Sequence, residues 1–326
     1  MKAVLCRQFG GPELLTVEDV PSLVPPAGQI VIEVRASSVN FPDTLAIQNK
    51  YQVKLTLPFS PGIEMAGIVK SVGAGVSAIA VGEHVIGIAS FGGFAEEALV
   101  DARKVIKLPL DLDMARAAAL VLTHGTSYYA LKDRAALAPG ETVLVLGAAG
   151  GTGLSAVELA KLMGARVIAA ASDAAKLAAC KAKGADELIN YSTEDLRQRV
   201  RELTGGQGVD IVYDPVGGQY AEPALRSMAW GGRYLVIGFS SGEIPKMPWN
   251  LPLLKGCSIV GVWLGAFMDR SPESFNLLAA DLVNWLQQGK ISPTISSTYA
   301  LEETAKAMEE VSSRRAIGKV VVVTRP

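Results

Sequence analysis

Between the apolar run Thr142–Gly147 ("TVLVLG") and the helical run "LSAVELAKLMG", the chain reads Leu146-Gly147-Ala148-Ala149-Gly150-Gly151-Thr152-Gly153. A strand that ends in a glycine-rich turn and continues as a helix can bring bare backbone N–H groups up to a phosphate. That requirement restricts the fold more than any other stretch of this sequence. The same alternation then repeats. "RVIAAA" (Arg166–Ala171) reads as a second strand and "AAKLAACKAKG" as a second helix ending at Gly184. "ELINY", "DIVYD" and "RYLVIGF" follow as strands, separated by helical "TEDLRQRVRELTGG" and "YAEPALRSMAWGG", and "SIVGVWL" adds a sixth strand. Short apolar strands alternating with helices imply a parallel sheet covered on both faces, the doubly wound Rossmann arrangement of an α/β protein.

Each residue of the turn has a physical task. Gly150 is expected to let the backbone approach a pyrophosphate, and Gly153 to let the helix pack closely on the strand. Gly151 and Thr152 open the helix, where N–H groups and the positive end of the helix dipole face the phosphates. The first position of the usual G-x-G-x-x-G pattern is Ala148, a departure. A second departure lies at the end of the second strand, where a carboxylate normally accepts hydrogen bonds from the ribose of NAD. Here the chain has Ala171 and Ser172. Without that carboxylate a 2′-phosphate is no longer repelled; Ser172 can donate to it, and Lys176 can add positive charge one helical turn later. These residues favour NADPH. Asp173 is the neighbouring acid that would serve an NAD ribose instead.

The flanking sequence has a different texture. The first 120 residues are rich in Pro, Gly and short β-branched runs, and "QIVIEVRASSV", "EMAGIVKSVG" and "EHVIGIAS" read as strands between turns. From Met114 the Ala-rich "MARAAALVLTHGTSYYALKDRAAL" reads as helix. Beyond Gly265 come helical "SPESFNLLAADLVNWLQQGK" and "EETAKAMEEVSSRR", then an apolar strand, "KVVVVTRP", expected to rejoin the first domain. The expected division is a β-rich domain from 1–120 and 266–326, interrupted by a nucleotide domain at 121–265.

Charge and cysteine usage narrow the partners. Lys and Arg number 31 against 32 Asp and Glu, so no global field favours nucleic acid or an anionic membrane. Apolar stretches are broken well short of the roughly 20 residues that a spanning helix needs. Cys6, Cys180 and Cys257 are widely separated and lack metal-site spacing. With an opening segment, "MKAVLCRQFGGPELLTVEDV", that lacks signal-peptide features, they suit a reducing cytoplasm.

A run of motifs carries a resemblance that covers nearly the whole chain. It includes "SSVNFPDTLAIQNKY", "LPFSPGIEMAGIVKSVGAGV", "VGEHVIG", "GTSYYAL", "GAAGGTGLSAVELAKLMGARVIA", "DIVYDPVGG", "LRSMAWGGRYLVIGF" and "GKVVVV". In this order they resemble the medium-chain dehydrogenase/reductase superfamily, and within it the zinc-independent quinone oxidoreductase (zeta-crystallin-like) branch. The resemblance implies a GroES-like catalytic domain beside the Rossmann domain. Zinc-dependent members carry Cys where this chain has Asn40 and His where it has Ile63. They also carry a four-cysteine lobe where "VGEHVIG" here runs directly into "IASFGGFAEEALV". Three scattered cysteines and two histidines, His84 and His124, supply no such ligand set, so no metal is expected.

The implied activity is NADPH-dependent hydride transfer to a quinone or similar activated carbonyl acceptor. The alternatives are an enone or enoyl-thioester reductase and a non-enzymatic NADPH-binding structural or RNA-binding protein. The resemblance places Asn40, Asp43 and Tyr51 beside the substrate, with Tyr51 a proposed proton donor or a packing residue. It sets Thr126, Gly238, Phe239 and Ser240 at the nicotinamide, and Tyr191 and Lys319 at the adenosine phosphate. "CSIVGVWLG" is the sheet edge through which a homodimer would pair.

Overall fold

Residues 1–324 are described by a computed structural model in which the first 107 residues contribute seven strands. They are β1 (Lys2–Cys6), β2 (Leu15–Asp19), β3 (Gln29–Val39), β4 (Glu64–Val72), β5 (His84–Ile88), β6 (Glu97–Asp101) and β7 (Val105–Lys107). β1 and β2 form an antiparallel ribbon. β3 is the hub of the larger sheet: β4 lies along one edge, and the other edge is shared by β6 and, further along, by the closing strand of the chain. Ile30, Ile32, Val34, Met65, Val69, Val85 and Val100 alternate inward from these strands and are almost wholly buried together. Met1–Leu122 forms one compact unit together with the segment that begins at Ser271, and Thr123–Arg270 forms a second.

The second unit contains the repeated strand–helix pattern. Its strands are β8 (Thr142–Val145), β9 (Arg166–Ala171), β10 (Glu187–Asn190), β11 (Val209–Asp214), β12 (Met228–Val236) and β13 (Ser258–Gly261). All five pairings are parallel, in the order β10-β9-β8-β11-β12-β13. The chain therefore winds outward from β8 in one direction, then crosses back and winds outward in the other. The topological switch lies between β8 and β11, the place where open α/β sheets bind their ligands. Val143, Leu144 and Val145 are inaccessible to solvent, as are Val167 to Ala170, which is why these strands are uninterrupted apolar runs rather than alternating ones.

The structure departs from the sequence reading in three places. The single helix expected from Met114 to the end of "DRAAL" is broken: an α-helical turn at Met114–Ala118 gives way to wider π-type turns at Val121–Gly125 and Tyr129–Arg134. "MAWGG" was expected to end a helix, yet the helix stops at Arg226 and Met228 already pairs with Val209. Gly231, with φ of 73°, kinks the strand there. After the helix Pro272–Gln287, a further strand, β14 (Ile295–Ala300), precedes the helix Thr304–Ser312 and the last strand, β15 (Lys319–Val323). β14 pairs in parallel with β15, and β15 is antiparallel to β3, so these two strands extend the larger sheet of the first unit.

Candidate functional site

The glycine-rich turn sits at the carboxyl end of β8, at the switch point. Gly147 adopts a left-handed φ of 54°. A Cβ there would lie 2.7 Å from Val216 Cγ2, in the loop after β11. Gly147 therefore makes the tight turn normally made by the first glycine of the fingerprint, and Ala148 is free to be alanine. The sequence reading had missed Gly147, and the only signal for it was a glycine one place early. Gly153 is required by contact: a Cβ would approach Gly147 O to 2.3 Å and the Ala148 backbone to 2.7 Å. Gly150 is different, since its Cβ would meet only Gly147 O at 3.5 Å. Open space beside a glycine that begins the helix Gly151–Leu162 is the cradle a phosphate needs, because no side chain competes for the N–H groups of Gly151, Thr152 and Gly153.

At the end of β9, Lys176 Nζ donates to Ser172 Oγ at 3.0 Å and lies 3.4 Å from Asp173 Oδ2. Asp173 caps the helix Ala174–Ala182, accepting the Lys176 N–H on Oδ1 at 3.0 Å. That backbone bond is the main reason its carboxyl is held below the usual aspartate range. The acid nearest the expected ribose position is thus engaged in capping, while Ser172 and Lys176 already stand together. β10 delivers Tyr191, whose N–H donates to Ala171 O at 3.2 Å and whose ring packs against Tyr220 with centroids 4.3 Å apart.

The loops after β11 and β12 are joined backbone to backbone. Gly238 N–H donates to Asp214 O at 3.3 Å, and Ser240 N–H donates to Pro215 O at 3.0 Å. Phe239 leans on Gly217, where a Cβ would lie 2.8 Å from its Cδ1. Asp214 fixes the loop after β11 by accepting the N–H groups of Val216 and Gly217 at 2.7 and 2.9 Å. Thr126 precedes Ser127, whose hydroxyl contacts Thr152 O at 3.1 Å, Ser155 Oγ at 2.7 Å and the phenol of Tyr213 at 2.8 Å. Burial pushes that phenol well above its ordinary pKa, so Tyr213 remains a neutral partner in the network. Thr126 is thereby tied to the first turn of the helix after the glycine-rich loop.

The expected acceptor-side residues lie in the first unit, where Asn40 and Asp43 also bond the backbone locally. Asn40 opens the helix Phe41–Ala46, and Asp43 closes back on it, accepting Asn40 N–H at 2.7 Å and Gly62 N–H at 3.2 Å. Burial, outweighing these bonds and the nearby Lys319 charge, raises the Asp43 carboxyl to about 7. The Asn40 side chain is used at both ends. Its Nδ2 faces Ser38 O and Ser38 Oγ at 3.1 and 3.2 Å, and its Oδ1 accepts from Lys319 Nζ at 2.5 Å. Tyr51 is half-buried, and its hydroxyl makes no hydrogen bond among the described residues. Burial first, and the Asp43 charge second, raise its pKa.

Lys319 is buried and already partnered. It is 4% exposed, with Val39 O at 3.4 Å and Glu64 Oε2 at 3.7 Å in addition to Asn40. Its ammonium is engaged inside the first unit. The role at the adenosine phosphate expected from the resemblance does not fit this position, because a buried, partnered cation is not available to an incoming anion. Glu64 had not been singled out from the sequence. Its carboxylate accepts from Ser38 Oγ at 2.7 Å and from the N–H groups of Val121 and Leu122 at 2.6 and 2.9 Å.

Two family models match the chain: an alcohol dehydrogenase GroES-like domain over residues 26–110 and a zinc-binding dehydrogenase domain over residues 151–283. Quinone oxidoreductase-like protein 2 of Bos taurus is 38% identical over 322 residues, covering 98% of this chain and 92% of its own. Quinone oxidoreductase of Lama guanicoe is 34% identical over 328 residues, covering 100% and 98%. Among solved structures, Escherichia coli quinone oxidoreductase complexed with NADPH superposes with a TM-score of 0.94 at 30% identity, covering 99% of this chain and 100% of that one.

Proposed function

The chain belongs to the quinone oxidoreductase family of the medium-chain dehydrogenases and reductases, and we propose that it uses NADPH to reduce quinones or similarly activated acceptors without a metal. The observation that carries the cofactor reading is the end of β9, where Ser172 and Lys176 stand hydrogen-bonded to each other and Asp173 is engaged as a helix cap. An oxidoreductase that preferred NAD would place a free carboxylate there. A 2′-phosphate can replace the bond between Ser172 and Lys176 with two charge-assisted bonds. Gly150 and the uncapped N–H groups after it suit the pyrophosphate. When bound, NADPH supplies the hydride; the chain orients it, through Thr126 and the joined loops bearing Gly238, Phe239 and Ser240.

The donor set at Asn40 and Ile63 does not suit zinc. Ile63 is a buried aliphatic, and the carbonyl oxygen of Asn40 already faces the Lys319 ammonium, a fixed positive charge that would repel a dication. Quinones are already electrophilic and need orientation more than Lewis-acid activation. Purified protein should consume NADPH in the presence of ortho- or para-quinones and much more slowly with NADH. Equal use of the two cofactors would remove the phosphate-pocket reading. Double-bond reduction of an enone or enoyl thioester is the second reading, favoured by the unbonded hydroxyl of Tyr51. On that reading Tyr51→Phe lowers enone turnover by about a hundredfold, the contribution of a positioned proton donor. Unchanged turnover would leave Tyr51 as packing.

We also propose a homodimer through β13, which pairs with β12 on one side only. Trp230 and Trp263, 80% and 57% exposed, flank that edge. A second copy of the same edge would extend the sheet and cover both rings. A monomeric sedimentation profile at micromolar concentration would exclude it. Cys6 and Cys180 are buried free thiols, with Cys180 raised to about 12 by burial, which suits a reducing compartment such as the cytoplasm.

A further inference from the structure

Lys319 and Glu64 form a buried pair, and neither side chain reaches solvent appreciably. A pair held at 3.7 Å is a loose salt bridge, whereas the Lys319 contact to Asn40 Oδ1 is short, at 2.5 Å. The ammonium therefore acts chiefly on Asn40, with Glu64 as its counter-charge. We propose that Lys319 is a positioning residue for the reduction of the acceptor, acting through Asn40 on the segment that ends at Tyr51. This rests on the acceptor-side role of Tyr51 given above.

The linkage can be followed atom by atom. Lys319 fixes Oδ1 of Asn40, and Ser38 fixes Nδ2, so the amide has a single orientation. The Asn40 backbone N–H is gripped by Asp43, which also takes the N–H of Gly62. Asp43 lies in the helix Phe41–Ala46, and the turn that follows is closed by Ile47 N–H to Asp43 O at 3.2 Å and Lys50 N–H to Leu45 O at 2.9 Å. Tyr51 comes next in the chain. Glu64 holds Ser38 by its hydroxyl and the backbone at Val121 and Leu122, shortly before Thr126. One ion pair thus sets two stretches that the reduction needs. A neutral side chain at 319 would leave Glu64 without a counter-charge, and an aliphatic one would leave Asn40 Oδ1 without a donor.

The test uses the full-length protein and three measurements: binding of NADPH and of NADH, and steady-state reduction of a quinone by NADPH. Lys319→Met should leave the ratio of NADPH to NADH affinity unchanged while kcat/KM for the quinone falls by about tenfold or more, as expected when a reacting geometry is loosened. Glu64→Gln/Lys319→Met removes both charges, keeps an acceptor oxygen for the two backbone N–H groups and turns an amide N–H toward the Ser38 hydroxyl, which can accept it, so it is the readout if the single variant does not fold. It should fold, bind NADPH as wild type does, and still reduce the quinone poorly, because Asn40 Oδ1 still lacks its donor. Full quinone turnover in the double variant would show that the pair serves charge balance alone and would overturn the proposal. A selective loss of NADPH affinity in either variant would overturn it by making Lys319 a phosphate ligand. Wild-type protein that binds NADPH but reduces no acceptor would instead remove the functional reading on which the proposal depends.

Discussion

Two lysines of this chain were expected to serve the same phosphate, and their surroundings differ. Lys176 stands at the end of β9, one hydrogen bond from a serine and 3.4 Å from an exposed carboxylate, with its side chain 20% exposed. Lys319 is sealed in the first unit against Asn40 and Glu64. The first can exchange a weak internal partner for a ligand. The second cannot leave its partners without exposing a buried carboxylate to an apolar interior. A positive charge in a nucleotide-binding protein is therefore a candidate ligand only where its present partners are weaker than the anion it would meet.

The contrast can be broken most sharply by deletion at 319. Lys319→Met should lower the free energy of unfolding by about 3–5 kcal/mol, since it strands a buried carboxylate; a loss below 1 kcal/mol in denaturant titration would mean that water or another group compensates Glu64. Gly153→Ala should cost about 1–3 kcal/mol, because its Cβ meets backbone rather than a mobile side chain, and thermal unfolding reads this directly. It should also abolish NADPH binding, which Lys319→Met should not.

Asp43 sharpens the comparison through pH. Its folded-state pKa of about 7 lies above its ordinary 3.8, so the folded protein retains a proton that the unfolded chain releases. Its contribution to stability therefore declines as pH rises between these two values, with a slope of at most about 1.4 kcal/mol per pH unit. Asp43→Asn has no such proton to lose. The stability of the variant relative to wild type should improve from pH 4 to pH 7, and a difference independent of pH would show that Asp43 stays ionised throughout. The smallest effect on stability is expected at Lys176. Lys176→Ala should change unfolding by less than about 0.5 kcal/mol, as for other partly exposed pairs. It should weaken NADPH about tenfold by loss of one charge-assisted bond, leaving NADH unchanged.

The nucleotide-binding unit was legible because its rules are local. Strand, turn and helix follow one another within about thirty residues, and the absence of an acid at Ala171 is a statement about one position. The first glycine of the pattern was missed, because Gly147 declares itself only through its left-handed φ and the approach of Val216 from the loop after β11. "MAWGG" was misread as helix for a related reason: the pairing of Met228 with Val209 across the sheet overrode its local preference.

By itself, then, the sequence determined the strand–helix alternation, the glycine turn with its waiting N–H groups, and the pairing of Ser172 with Lys176 that we propose for a 2′-phosphate, since each depends on residues close together in the chain. Only the tertiary structure decided the fate of Lys319. Its partner Asn40 lies at the opposite end of the sequence, brought alongside when β15 pairs with β3, and Glu64 joins them from β4. Burial then determines which partners a charge keeps. That depends on every strand that closes the sheet, and no short window of sequence contains it.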